Sequence, residues 1–144
     1  MSKYNFCLPH KVKKYIEYEL EHFYENKKNL REIEESMISL NSPSLTFNGN
    51  SGEISKPTEK NAIKIASSLY IKKTEETIHK IEKVINGLDD LDKNLINLVY
   101  FRKTHTVTGA GMKVHLDKSA AYNHINKILG LIAIEMGLIN CEEE

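Results

Sequence analysis

Residues 91–136 read LDKNLINLVYFRKTHTVTGAGMKVHLDKSAAYNHINKILGLIAIEM. The apolar residues of this stretch recur at helical spacing in three blocks. Leu91, Leu95, Leu98 and Val99 form one buried face. A short helix over about 106–114 turns Val107, Ala110, Gly111 and Val114 inward. A tight turn at His115-Leu116 follows, and histidine is among the residues enriched at positive φ. Asp117 then caps a third helix, its carboxylate accepting from an early backbone N–H. Ala121, Ile125, Ile128, Leu129 and Ile132 form the inner stripe of that helix. Small residues in two helices that cross closely, with a buried residue in the turn between them, are what a helix-turn-helix requires.

The outward face of the third helix has a different chemistry. Lys118, Ser119, Tyr122, Asn123 and Asn126 lie along its N-terminal half and are the candidates for reading base edges. Asparagine suits adenine in a bidentate pair, and a helix N-terminus favours phosphate. From Lys93 to Gly130 the charges are Lys93, Arg102, Lys103, Lys113, Lys118 and Lys127 against Asp117 alone, in a chain of zero net charge. Positive charge is therefore concentrated in this segment. Arg102, Lys103, His105, Thr106, Lys113 and Lys127 are the candidates for holding DNA phosphates, which sets register without specifying sequence. His115 is a further phosphate candidate, and His124 either joins it or covers the core. The competing reading is an ordinary three-helix bundle whose third helix merely packs and whose lysines are a solvated surface. Gly109 and Gly111 count toward it, since each costs a helix about 1 kcal/mol relative to alanine.

The 144 residues bound the chain to one domain, or one with an extended appendage. With 40% apolar and 28% charged residues, the composition suits a folded helical protein and not a disordered one. No apolar run approaches the roughly 20 residues of a membrane span. The start, MSKYNFCLPHKVKK, lacks the apolar core of a signal peptide. A cytoplasmic location is expected, with no membrane partner. Cys7 and Cys141 have no nearby second cysteine and read as free thiols. The six histidines form no metal-ligand spacing. Carboxylates pair with lysines four residues away, as Glu76 does with Lys80, and no nucleophile motif is present. No metal, cofactor or catalysis is expected.

Upstream, no alternating β-type segment appears, so the fold class is all-α. Residues 1–40 are expected to be one long helix from about Pro9, with Val12, Ile16, Leu20, Phe23, Leu30, Ile33 and Met37 as its stripe. Its seven basic and seven acidic residues cancel, which is the pattern of a coiled-coil surface. Residues 41–57, NSPSLTFNGNSGEISKP, are rich in turn formers and read as a flexible connector without a phosphate-binding loop. A second long helix, about 58–87, carries Ile63, Ala66, Tyr70, Thr74, Ile78, Ile81 and Ile85, with Thr58 as a partial cap and Gly87 past its end. It either folds back on the first helix as an antiparallel pair or leaves the first helix to a homodimer. Residues 88–144 form the helix-turn-helix unit, opened by Asp89, Asp90 and Asp92 and closed by Gly137 and an acidic tail.

In its order of features the chain resembles the RinA/ArpU type of phage transcriptional activators. The matching parts are the N-terminal VKKYIEYELEHFYENKKNLREIEESM, the polar break ending in SKPTEKNAIKI, the stretch INGLDDLDKNLINLVYFRK and the final HLDKSAAYNHINKILGLIAIEMGL. The last two are similar to region 4 of sigma factors. The resemblance implies a sequence-specific activator of late genes in phages or prophages, acting at promoters on double-stranded DNA, and contact with host RNA polymerase. The alternative is a helical interaction module that docks a polymerase subunit or a phage protein without reading DNA.

Overall fold

The structure, a computed structural model, describes residues 8–40 and 57–140, and among them it contains helices and no strands. In chain order the elements are α1 (His10–Glu21), α2 (Phe23–Leu40), α3 (Pro57–Asn86), α4 (Asp90–Ile96) continuing into a π-helical turn (Asn97–Phe101), α5 (Val107–Lys113) and α6 (Lys118–Glu135). Residues 41–56 of the expected connector, the N-terminus with Cys7 and the acidic tail with Cys141 lie outside the described residues. So do the side chains of Met37 and Thr58.

Helix α6 is the centre of the core. Ala121, Ile125, Ile128, Leu129, Gly130, Ile132 and Ala133 are buried along it. Helices α1, α3, α4 and α5 all pack on it. Ile16 and Leu20 come from α1, Ile81 from α3, Leu95 and Ile96 from α4, Tyr100 from the π turn and Ala110 from α5. Each large aliphatic side chain fully buried this way contributes about 1.5–3 kcal/mol. Phe23 and Phe101 stack at 5.4 Å and close the base of α2 over the π turn. Lys83 Nζ donates to Glu135 Oε1 at 2.9 Å and ties α3 to the end of α6.

Local signals start and stop the C-terminal helices. Asp89 accepts from the N–H of Asp92 at 2.9 Å, Thr106 from Gly109 at 3.1 Å and Asp117 from Ala120 at 2.7 Å. Both α5 and α6 end in paired backbone bonds that close around a left-handed residue. After α5, Leu116 N–H donates to Gly111 and His115 N–H to Met112, with His115 at φ 63°. After α6, Leu138 donates to Ala133 and Gly137 to Ile134, with Gly137 at φ 73°. The crossing of α5 on α6 is tight: a Cβ at Gly111 would stand 2.6 Å from that of Ala121.

Three features depart from expectation. The first long helix is two helices, because the chain turns at His22 (φ −101°, ψ 7°). The His22 ring donates from Nδ1 to the Tyr18 carbonyl at 2.8 Å, an oxygen its own N–H also uses, and a side chain entering the backbone ladder is a known cause of kinks. Ile96 and Tyr100 are buried beside the expected Leu95: Ile96 stands four residues after the buried Asp92 on α4, and Tyr100 is the buried residue of the π turn. The third departure concerns Ile63, Ala66 and Tyr70, which are exposed. Helix α2 runs against α3 in the opposite direction, with Lys27 paired to Glu82 and Glu34 bonded to Glu75. Extending that register sets Leu40, the last residue of α2, level with Leu69, so the first three turns of α3 have no α2 beside them. Only Ile78, Ile81 and Ile85 of the stripe join the core, with Thr74 half-buried.

Two substitutions check the α5–α6 geometry. Gly111→Ala forces two rigid methyl-bearing backbones apart and is expected to destabilise by about 1–3 kcal/mol in urea unfolding. His115→Gly relieves the left-handed strain at the turn and, after the added freedom of the unfolded chain, is expected to stabilise by roughly 0.5–1 kcal/mol in the same assay. A neutral or stabilising Gly111→Ala would contradict the close crossing.

Candidate nucleic-acid interface

In the first two turns of α6, Ala121 and Ile125 are buried and the rest of the surface is largely open. Lys118, Ser119, Tyr122 and Asn123 are exposed there, and Asn126 is half-buried one turn further on. At 100° per residue, Ser119, Asn123 and Asn126 share one outward arc, while Lys118 and Tyr122 fall on the side of the core stripe, Lys118 ahead of its first buried residue and Tyr122 at its border. Asp117 uses one carboxylate oxygen on the Ala120 N–H, which places its charge at the positive end of the helix dipole.

Tyr122 stands at the border of this face, 39% exposed. Its phenol lies near that of Tyr100, which is buried. Burial, then the carboxylates of Glu17 and Glu21 on α1, push the Tyr100 phenol well above its ordinary range. Tyr100 therefore stays a neutral hydrogen-bond donor at physiological pH. The Tyr122 side of α6 thus lies toward Tyr100, on which Glu17 and Glu21 of α1 also act.

The expected phosphate contacts divide. Arg102 and Lys103 are exposed in the loop between the π turn and α5, where Lys103 takes a left-handed φ of 56°. Lys113 is exposed at the end of α5 and Lys118 at the start of α6. Thr106 accepts from Gly109 at the cap and keeps its hydroxyl proton to donate outward. His105 is half-buried, and its Nδ1 is hydrogen-bonded to Thr104 Oγ1 at 2.8 Å. His115 is exposed in the turn.

Lys127 is the correction. Its Nζ donates to Asp92 Oδ2 at 2.9 Å, while Nδ1 of His124 stands 2.7 Å from Asp92 Oδ1. Asp92 is 1% exposed, so its charge has little water and is met by the Lys127 ammonium and the His124 ring from α6. Lys127 is committed to an internal ion pair and is not free for a phosphate. His124 is likewise held between α6 and α4. The signal was present in the sequence: Asp92, Leu95, Ile96 and Val99 fall at helical spacing, so Asp92 lies on the buried face of α4 and needs a partner there. Reading it with Asp89 and Asp90 as helix-start charge concealed that.

Elsewhere, a groove of about 630 Å³ runs between α2 and α3, lined by Lys27, Arg31, Glu34, Glu75, Glu76 and others. A hydrogen bond and charge from Glu34, with some desolvation, raise the Glu75 carboxyl above its ordinary range. Such a charged, open groove is not the apolar pocket that small ligands favour. Among the described residues no group of three or more His, Cys, Asp or Glu is placed to hold a metal ion. None of their helices is long and apolar enough to cross a membrane.

The Asp92 cluster is tested by Asp92→Ala. It leaves Lys127 and His124 unpaired but able to reach water, so the expected loss is about 2–3 kcal/mol, read as a lower midpoint in urea unfolding. A loss below roughly 0.5 kcal/mol, the level of a surface pair, would remove the cluster from the interactions that hold α4 on α6. Comparison of the chain with protein-family models, with curated proteins and with solved structures gives no match.

Proposed function

We propose that the protein is a sequence-specific DNA-binding transcriptional regulator, with α5, the His115 turn and α6 acting as a helix-turn-helix of the sigma region 4 kind. The observation that carries the reading is the tip of α6. Its exposed side chains Lys118, Ser119 and Asn123 are all hydrogen-bonding groups, and Asp117 caps the helix beside them. Asn123 reads adenine through its amide, Ser119 and Lys118 reach neighbouring edges, and Asn126 and Tyr122 contact the flanks. Arg102, Lys103 and Lys113 take phosphates on either side and set the register. The tight crossing of α5 on α6 supports the reading, because a rigid pair presents the reading helix at a defined angle.

The resemblance to RinA/ArpU-type activators extends this to phage or prophage late promoters, with host RNA polymerase as a second contact. The test is a fluorescence-anisotropy titration against fragments of the protein's own genomic neighbourhood at two salt concentrations. One fragment is expected to bind selectively, with three phosphate-holding cations giving a slope of log K on log salt of roughly −3. Asn123→Ala is expected to cost about 1–3 kcal/mol on that fragment and little on random DNA. Equal losses on both would take Asn123 out of base reading. Absence of selective binding at either salt would favour an interaction module instead.

A further inference from the structure

The N-terminal half of α3 carries an apolar face that nothing in the described fold covers. Ile63 is 62% exposed, Ile65 61%, Leu69 63% and Tyr70 47%, and Ala62 and Ala66 are exposed between them. Single exposed apolar residues are ordinary, but these six are contiguous. At 100° per residue they occupy an arc of about 160° centred near Ala66. The residues by which α3 meets the core further along, Ile78, Ile81 and Ile85, lie roughly 100° around the helix from that centre. One edge of the stripe, at Ile63 and Tyr70, continues the line of Ile81, while Ala62, Ile65, Ala66 and Leu69 open a second face beside it. Lys64 and Lys72, the charged residues between 62 and 72, both fall outside the arc.

We propose that this face is a self-association surface, on which α3 of a second copy packs antiparallel about a two-fold axis through Ala66. The sizes of the side chains favour that occupant. An antiparallel pair centred on Ala66 sets Tyr70 of the other copy against Ile63 and Ala62, and Leu69 against Ala62, each contact being made twice. The smallest residues, Ala66 and Ala62, lie at and beside the axis, which allows the helices to approach closely. An interface of this kind is isologous, the usual form in homodimers. Four large side chains at about 100 Å² each, with the alanines and lysine stems beside them, bring the area from both copies to roughly 1,000 Å². That is the lower end for a specific interface, so a reversible dimer in the micromolar range is expected. The proposal does not depend on DNA binding.

The test is sedimentation equilibrium on the full chain up to roughly 100 µM, a concentration that populates a micromolar dimer. The wild type is expected to approach twice the chain mass. Ile63→Glu combined with Leu69→Glu is expected to remain at one chain mass with unchanged helix content and unfolding midpoint, since neither residue touches the core. Ala66→Cys, made with Cys7→Ser and Cys141→Ser, is expected to form a disulfide-linked dimer on mild oxidation. A monomeric wild type overturns the proposal and leaves the stripe to residues 41–56 of the same chain, to a lipid surface or to another protein. A dimer that survives the two glutamates places the interface elsewhere and also overturns it. A dimer that the glutamates dissolve but Ala66→Cys does not lock overturns the antiparallel register.

Discussion

The apolar stripe of α6 must be shielded from water on several sides, and that single requirement arranges most of the described chain. Ile125, Ile128, Leu129 and Ile132 are almost completely removed from solvent. No one neighbour covers them: α1, α3, α4 and α5 each supply part of the shell. Burial on this scale outweighs the intrinsic helix preferences of the short elements, which are weak. The shell covers Ala121 and Ile125 in the first two turns of α6 but leaves the outer arc of those turns, with Ser119 and Asn123, in water. The candidate interface is a consequence of where the core stops.

Two local constraints convert that arrangement into a defined geometry. Gly111 lets α5 lie against Ala121, a contact that a side chain would prevent. The left-handed His115 then closes α5 with two backbone bonds and hands the chain to the Asp117 cap in a few residues. On the far side of α6, Asp92 draws Lys127 and His124 inward. A buried carboxylate with one partner removed is costly, so this cluster specifies how α4 sits on α6 beyond what apolar packing, which is non-directional, can do. The same cluster removes a cation from the surface and concentrates the exposed positive charge at Arg102, Lys103, Lys113 and Lys118.

The long helices follow a different logic. Helix α2 and the C-terminal half of α3 share a register marked by the Lys27–Glu82 pair, and their charged groups line an open groove. Apolar contact between them is thin: Leu30 is buried and Ile78 partly so. The most apolar turns of α3 lie beyond this contact. A helix that keeps its larger apolar face away from its own fold has more reason to meet another chain there than to be stabilised by propensity alone.

What the sequence determined by itself was local. The all-helical class, the Asp117 cap, the left-handed turn at His115, the small residues at Gly111 and Ala121 and the inner stripe of α6 are encoded within a few residues of where they act. Caps, turns and helical periodicity need no knowledge of distant contacts. The exposed faces of Lys118, Ser119 and Asn123 followed from the same periodicity. What the tertiary structure decided depended on partners far along the chain. Asp92 and Lys127 are 35 residues apart, and nothing near either one reveals the pair. The exposure of Ile63 and Ala66 depends on where α2 ends beside α3, and the π turn at Tyr100 shows in no local spacing. An amphipathic pattern states that a face must be covered; only the packed chain states by what, and which faces are left open.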